Sequence, residues 1–499
     1  MNNTNNSVLR ENIPADLRGP VLIAGAGVSG TATARMCEAI GVEYSLVDDR
    51  AQGALDTQTA LARLEHYSLV VTSPGWRPET ELFEQARLRE IPVLGDVELA
   101  WRLDQAGVFG PRRTWLAVTG TNGKTTTTAM LAAMMQRGGF RAQAVGNIGT
   151  AVGDVLSEAG EARVDVLVAE LSSFQLYWSQ RFTPDAGVLL NLAEDHLDWH
   201  GSYAAYAAAK AKALRGPVAV AGMDSPEVRD LVRAEGLEEK IIPFGLSKPA
   251  PGGVGVLGGH LVDAMTLRGG EENPDAQAAP IALAPVEGIE PAGPAGVLDA
   301  LAAAAVARSQ GVSPEAIAEA LRDFHVAGHR GHVVSEHGGV RWVDNSKATN
   351  PHAAEAALAA EESVVWVAGG QLKGADVTDL VRGYGSRMRA AIVLGQDRGL
   401  IEEALRAHAP QVEVHSVAET DPRAAMMAVG KIAQRVARPG DTVLLAPAAA
   451  SLDMYTGMGQ RGDMFAAAAL RAAAEQGTQG VDSGGVDKQV TAEPEPPSR

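Results

Sequence analysis

The chain has one cysteine, Cys37, in 499 residues, so no intrachain disulfide can form. Aromatic residues make up only 4% of it. No uninterrupted apolar run reaches the roughly 18 residues that a spanning helix needs, so no membrane span is expected. There is no Lys/Arg block and no basic stripe interleaved with aromatics, and the formal charge is −18. A nucleic-acid-binding surface is therefore not expected. The opening stretch MNNTNNSVLRENIP lacks the charged-then-apolar order of a secretion signal. So little cysteine fits a reducing compartment such as the cytoplasm. Cys37 follows a glycine loop on a helical stretch and reads as a small buried residue rather than a nucleophile.

Hydrophobic residues make up 46% and charged residues 21%, an ordinary globular balance. The length suits about two to four domains. Short apolar runs alternate with helical stretches almost throughout, which implies βαβ units and parallel sheets. Residues 20–112 carry strand candidates at 20–24, 44–47, 69–72 and 91–94, with a helix at 30–40. Pro111-Arg112-Arg113 reads as a linker. Residues 113–326 carry candidates at 115–118, 166–169, 186–190, 218–221 and 241–244. In that unit 248–294 reads as an irregular or hairpin-bearing insert, and 297–309 as an Ala-rich helix. Residues 327–476 carry candidates at 333–336, 340–343, 364–368, 391–394, 412–415 and 442–445. From 477 to 499 the chain is rich in Gly, Ser, Pro, Asp and Glu without periodicity, and a disordered tail is expected.

The segment AVTGTNGKTTTT at 117–128 holds the strongest chemistry. An apolar strand runs into Gly120, Thr121, Asn122 and Gly123, and Lys124, Thr125 and Thr126 open a helix. Glycine lets backbone N–H groups approach phosphate oxygens, the helix N-terminus adds positive potential, and Lys124 brings a mobile charge. Thr125 is placed to ligate the Mg²⁺ that accompanies ATP. A second glycine loop, Gly25-Ala26-Gly27-Val28-Ser29-Gly30, fits G-x-G-x-x-G, and Asp48 ends the next strand. Taken alone, it reads as a dinucleotide site or as a tight turn that binds nothing.

The shortened loop TGTNGKTT resembles that of the Mur ligases, which join an amino acid to a carboxylate at the expense of ATP. Further segments resemble the same family in the expected order: SPG at 73–75, GNIG at 146–149, ELSSFQL at 170–176, N-x-x-x-D-H-x-D at 191–198, A-A-K ending at Lys210, and His329-Arg330. SKATN at 346–350, G-G-x-x-K ending at Lys373, A-S-x-D at 450–453 and Gln460-Arg461-Gly462 complete the set. The resemblance covers 20 to about 475. It implies an α/β protein of three domains: an N-terminal Rossmann-like parallel sheet, a central phosphate-loop ATPase-type domain and a C-terminal Rossmann-like domain.

For the site, the resemblance implies a UDP-sugar on Gly25, Gly27, Val28, Ser29, Ser73 and Asn147, with Asp48 or Asp49 near the uracil. It implies a metal on Thr125, Glu170, His196 and Lys210, the last carbamylated by CO₂. Arg330, Asp344 and Lys347 would meet the nucleotide. Thr349, Lys373 and Ser451 would hold the incoming amino acid. SKATN points to the D-glutamate-adding branch. The expected substrates are ATP with Mg²⁺, UDP-N-acetylmuramoyl-L-alanine and D-glutamate, in peptidoglycan precursor synthesis, and a monomer is expected. A sister ligase for another amino acid, or a catalytically impaired nucleotide-binding homologue, is the alternative; an NAD-dependent oxidoreductase would leave 120–126 unexplained. Five positions depart from the family pattern: Ala295, Gly296 and Asp299 replace a His, an Asn and an Asn, Asn345 replaces an Asp, and Met458 stands where an aromatic is common.

Overall fold

The computed structural model describes residues 12–147, 150–158, 160–265, 279–326 and 328–479. The expected tail from 480 onward, and Ile148 and Gly149 of the GNIG turn, lie outside the described residues. The chain divides into two compact units, Met1–Val326 and Ala327–Arg499.

The first unit contains two sheets. Strands β1 (Val21–Ala24), β2 (Tyr44–Val47), β3 (Leu69–Thr72) and β4 (Val93–Gly95) form a four-stranded parallel sheet in the order β2-β1-β3-β4. β1 and β3 are buried along their whole length, as unbroken β-branched and aliphatic runs require when helices cover both faces. The second sheet holds β5 (Thr114–Thr119), β6 (Ala142–Gly146), β7 (Val166–Glu170), β8 (Ala186–Leu189), β9 (Val218–Gly222) and β10 (Ile241–Phe244). It continues through β11 (Val254–Leu257), β12 (His260–Asp263) and β13 (Ile281–Pro285). Its order is β13-β12-β11-β10-β9-β8-β5-β7-β6. The last three strands are the hairpin-bearing insert, with β11, β12 and β13 antiparallel. β6 was not among the sequence candidates: AQAVG is short, half-polar and at the sheet edge, where apolar periodicity is weakest.

The expected linker at 111–113 is not a loose joint. Arg113 and Asp104 form an ion pair whose side chains are both 0% exposed, at 2.8 Å. Asp104 also accepts from the Arg113 backbone N–H and from Trp115 Nε1, each at 2.9 Å. One apolar core runs beneath this crossing, joining Ile23 and Val71 of the first sheet and Leu99 of helix Asp96–Gln105 to Leu167 of the second sheet and the nearby Phe182.

On the other face of the second sheet, helix Pro294–Ser309 packs against helix Lys124–Arg137. Ala302, Ala303, Ala304 and Ala305 are all 0% exposed, so the helix is buried all round and its small side chains set the close approach. Gly296 is fixed by the chain that enters this helix. A Cβ there would lie 1.8 Å from the Pro291 carbonyl oxygen, so the family's Asn does not fit this backbone.

The second unit is a six-stranded sheet of β14 (His332–His337), β15 (Val340–Asp344), β16 (Val364–Gly369), β17 (Met388–Leu394), β18 (Glu413–Ser416) and β19 (Thr442–Leu445). The order is β14-β15-β19-β16-β17-β18, parallel except for the edge strand β14. Helix Met458–Gln479 runs past the expected domain end at 476.

Candidate functional site

β5 delivers the phosphate loop at the carboxyl edge of the second sheet, where α/β proteins place ligands. Gly123 takes φ +82° and precedes the helix of Lys124, Thr125 and Thr126. A side chain there would meet the Asp299 carboxylate at 2.2 Å, so glycine is needed for conformation and for space. The loop is braced from below. Asn191 Oδ1 accepts from the Asn122 backbone N–H at 2.9 Å, and the Thr121 and Tyr206 hydroxyls lie 2.8 Å apart. Lys124 Nζ turns back to donate to the Gly120 and Thr121 carbonyls at 3.0 and 2.7 Å, holding its charge over the loop.

Lys210 comes to the same place from helix Tyr203–Ala211. Its Nζ donates to Gly120 O at 2.7 Å and to Thr119 Oγ1 at 3.3 Å, and the residue is 2% exposed. Burial pushes its pKa well below the usual lysine range; the Lys124 charge adds to this, while Asp195 and Glu170 oppose it. Lys212, by contrast, turns away to cap the carbonyls of Leu176 and Tyr177 at 2.8 Å each, as the helical rotation requires.

Glu170 ends β7 and is 1% exposed. Asn147 donates its side-chain amide to Oε1 at 2.9 Å, while the buried Oε2 has no partner. An orphaned carboxylate oxygen beside a phosphate loop is what a hard cation would satisfy. Asn147 itself is tied to Glu170 through its backbone as well. His196 adopts φ +53° and packs on Phe174, ring centroids 4.7 Å apart. Among the described residues no three His, Cys, Asp or Glu side chains converge on a metal-sized site. A cation here needs mixed donors, and carbamylated Lys210 would add the missing anion to Thr125, Glu170 and His196.

Asp299 lies against this loop, accepting from Thr127 Oγ1 at 3.1 Å. The departure from Asn therefore puts a carboxylate beside the loop rather than leaving the place empty.

At the first glycine loop, Gly25 has φ +100°, and a Cβ there would meet Ser73 Oγ at 2.7 Å and Trp76 Nε1 at 3.1 Å. The Ser73 hydroxyl is buried without a partner. Val28 is 72% exposed at the tip. Asp48 braces the loop by accepting from the Ala26 N–H at 2.9 Å. Asp49 does not face the loop: its oxygens accept from Thr57 N and Oγ1 at 2.7 and 2.8 Å, because a carboxylate beside a helix start satisfies that end first. Ser29 is likewise engaged, bonding the buried Asp96 carboxyl, whose pKa burial raises to about 6.

In the second unit Asp344 is 1% exposed, and both oxygens are used internally, by His329 Nδ1 at 2.7 Å and the Ser346 N–H at 2.9 Å. It presents no open carboxylate for a nucleotide, and so does not take up the role that Asn345 lacks. Thr349 is half-buried and Lys373 exposed, and Ser451 is 4% exposed. The Gly369-Gly370 turn is clamped to the Ser451 loop by a two-residue bridge, Gln371 N to Ala450 O at 2.8 Å and Ala450 N to Gln371 O at 2.9 Å. Among the described residues, four of the five non-glycine positions with positive φ fall in these loops: His196, His329, Lys373 and Ala448. Such strain gathers where a scaffold holds functional side chains.

A largely parallel sheet with a lysine-bearing phosphate loop at its carboxyl edge, followed by a second α/β unit, defines a nucleotide-binding α/β protein. The family model of the Mur ligase middle domain matches residues 118–256, and that of the Mur ligase glutamate ligase domain matches 329–449. The UDP-N-acetylmuramoylalanine–D-glutamate ligase of Corynebacterium efficiens is 56% identical over 469 residues, 92% of this chain and 96% of the relative. That of Mycobacterium tuberculosis is 45% identical over 487 residues, 90% of this chain and 95% of the relative. The chain belongs to the Mur ligase family, the ATP-dependent ligases of peptidoglycan synthesis. The crystal structure of UDP-N-acetylmuramate-alanine ligase from Thermotoga maritima shares the fold, with TM-score 0.53 and 17% identity over 92% of this chain and 99% of that one. The ADP complex of MurF ligase from Thermotoga maritima does so with TM-score 0.52 and 15% identity, covering 92% of this chain and all of that one (100%). No helix among the described residues is long and apolar enough to cross a membrane.

Proposed function

We propose that this ligase adds D-glutamate to UDP-N-acetylmuramoyl-L-alanine, in the cytoplasm, through an acyl phosphate. ATP binds at Gly120, Thr121, Asn122, Gly123, Lys124, Thr125 and Thr126, with Arg330 and Lys347 as further nucleotide contacts. Lys124 exchanges the Gly120 and Thr121 carbonyls for phosphate oxygens. One oxygen of the acceptor carboxylate attacks the γ-phosphorus, and the bond to ADP breaks. The D-glutamate amine then attacks the activated carbonyl carbon, loses a proton, and expels phosphate carrying that same oxygen. Thr349, Lys373 and Ser451 hold the amino acid, Lys373 pairing its side-chain carboxylate. Gly25, Gly27, Val28 and Ser73 line the nucleotide-sugar site, with Asp48 fixing the loop. Thr125, Glu170, His196 and carbamylated Lys210 would hold a Mg²⁺ ion, which would supply charge neutralisation at the phosphates. Positioning and electrostatics account for most of the rate.

The observation that carries this reading is Lys210. Burial lowers the pKa of this amine and so favours the form that adds to CO₂; its Nζ donates to the phosphate-loop carbonyl of Gly120, within electrostatic reach of Glu170, whose Oε2 is orphaned. The test is phosphate release from ATP with UDP-N-acetylmuramoyl-L-alanine and a panel of D- and L-amino acids. Release with D-glutamate well above every other amine is expected. Equal release with another amino acid would favour a sister ligase, and no release with any would favour an impaired homologue.

A further inference from the structure

The second unit contains a buried cation that the mechanism above leaves unused. Arg461, in the first turn of helix Met458–Gln479, is 1% exposed. Its guanidinium makes four hydrogen bonds: Nε to Ser346 Oγ at 3.0 Å, one terminal nitrogen to Ser346 O at 2.8 Å, the other to Ala449 O at 3.0 Å and Gly369 O at 3.3 Å. These acceptors belong to three loops far apart in sequence. Ser346 shortly precedes Lys347 and Thr349, Gly369 opens the turn that carries Lys373, and Ala449 leads into Ser451. We infer that Arg461 is the positioning residue of the amino-acid site, fixing in one rigid fork the three loops whose side chains hold D-glutamate. The inference rests on the reading of Thr349, Lys373 and Ser451 as that site.

Only the arginine fork supplies donors in several fixed directions at once, and burial lowers its pKa only to about 10, so it stays charged at neutral pH. The adjoining residues serve the same junction. Ser346 Oγ donates to Met458 O at 2.7 Å, tying the loop to the helix start. A Cβ on Gly462 would lie 2.0 Å from His329 Nδ1 and 2.7 Å from Asp344 Oδ2, so glycine there leaves room for the His329–Asp344 pair. The Arg-Gly pair thus places a clamp and a gap side by side.

All three amino-acid loops depend on the fork, whereas ATP meets only the 344–350 loop and Arg330 in this unit. The KM values for D-glutamate and ATP should therefore separate. For Arg461→Met, the D-glutamate KM is expected to rise about tenfold or more and the ATP KM by less than roughly threefold. Arg461→Lys should fall between this variant and the parent, since it restores the charge and part of the donor set. Ser346→Ala, which removes one acceptor and is less disruptive, should shift the same ratio in the same direction by less, and decides the matter if Arg461→Met does not fold. Equal factors on both substrates, or an unmoved D-glutamate KM in folded Arg461 and Ser346 variants, would overturn the inference. Lys373→Ala measured alongside keeps the two claims apart. If it leaves the D-glutamate KM unchanged, the pocket reading itself is wrong. If it raises that KM while the Arg461 and Ser346 variants show no split, only the positioning role fails.

Discussion

Two buried cations, one in each unit, behave in opposite ways. Lys210 is 2% exposed with two hydrogen-bond acceptors, neither of them a carboxylate. Arg461 is 1% exposed and its planar head is engaged on four. Burial without enough compensation favours the neutral amine, which is a nucleophile; burial with a full set of acceptors retains the charge and makes it a fixed strut. Depth of burial alone does not separate a reactive group from a structural one. The number of partners and the shape of the cation do.

The largest effect that would break this contrast is at the phosphate loop. Lys124→Ala should lower phosphate release by about a thousandfold, because the charge aimed at the transferring group is lost. Retained turnover would mean that the loop is not where ATP reacts. Next is Lys210→Ala, expected to cost about a hundredfold or more in kcat and to be partly restored by added formate or acetate, whose carboxylate replaces the carbamate. Full activity without rescue would make Lys210 a strut like Arg461.

A third buried cation sharpens the rule through stability rather than rate. Asp104→Ala strands Arg113 with both side chains out of water, and should cost about 3–5 kcal/mol in urea unfolding. A cost under about 1 kcal/mol would show that the crossing between the two sheets is held by apolar packing alone.

The smallest effect is in pH. Burial pushes the His200 pKa down to about 4. The native state keeps this imidazole neutral while the unfolded chain takes up a proton below about 6.5, so its contribution is present above that pH and fades as pH falls toward 4. His200→Gln should flatten the decline of the unfolding midpoint between pH 7 and 5. An identical decline in the variant would rule this histidine out as its source.

Much of this was legible in the sequence because its signals are local. Buried parallel strands are largely apolar runs, and β3 and β19 fall where those runs do. Glycine loops at strand ends marked both loops proposed to bind nucleotides. What stayed hidden was long-range or polar. β6 has no apolar periodicity. Asp49 and Asp344 look like ligand groups until their partners, Thr57, His329 and Ser346, come into view. Arg461 and Asp299 gain their meaning only from residues far away in the chain. Tyr206 did leave a trace, standing one helical turn before Lys210 on the same face. Gly296 read as a lost asparagine, although the Pro291 carbonyl leaves no room for one.

The most direct test follows one oxygen atom. UDP-N-acetylmuramoyl-L-alanine labelled with ¹⁸O in its alanyl carboxylate is turned over with ATP and D-glutamate, and the released phosphate is weighed by mass spectrometry. Activation through an acyl phosphate predicts one ¹⁸O carried into inorganic phosphate for each amide formed. Phosphate without label, or label found in AMP, would contradict it.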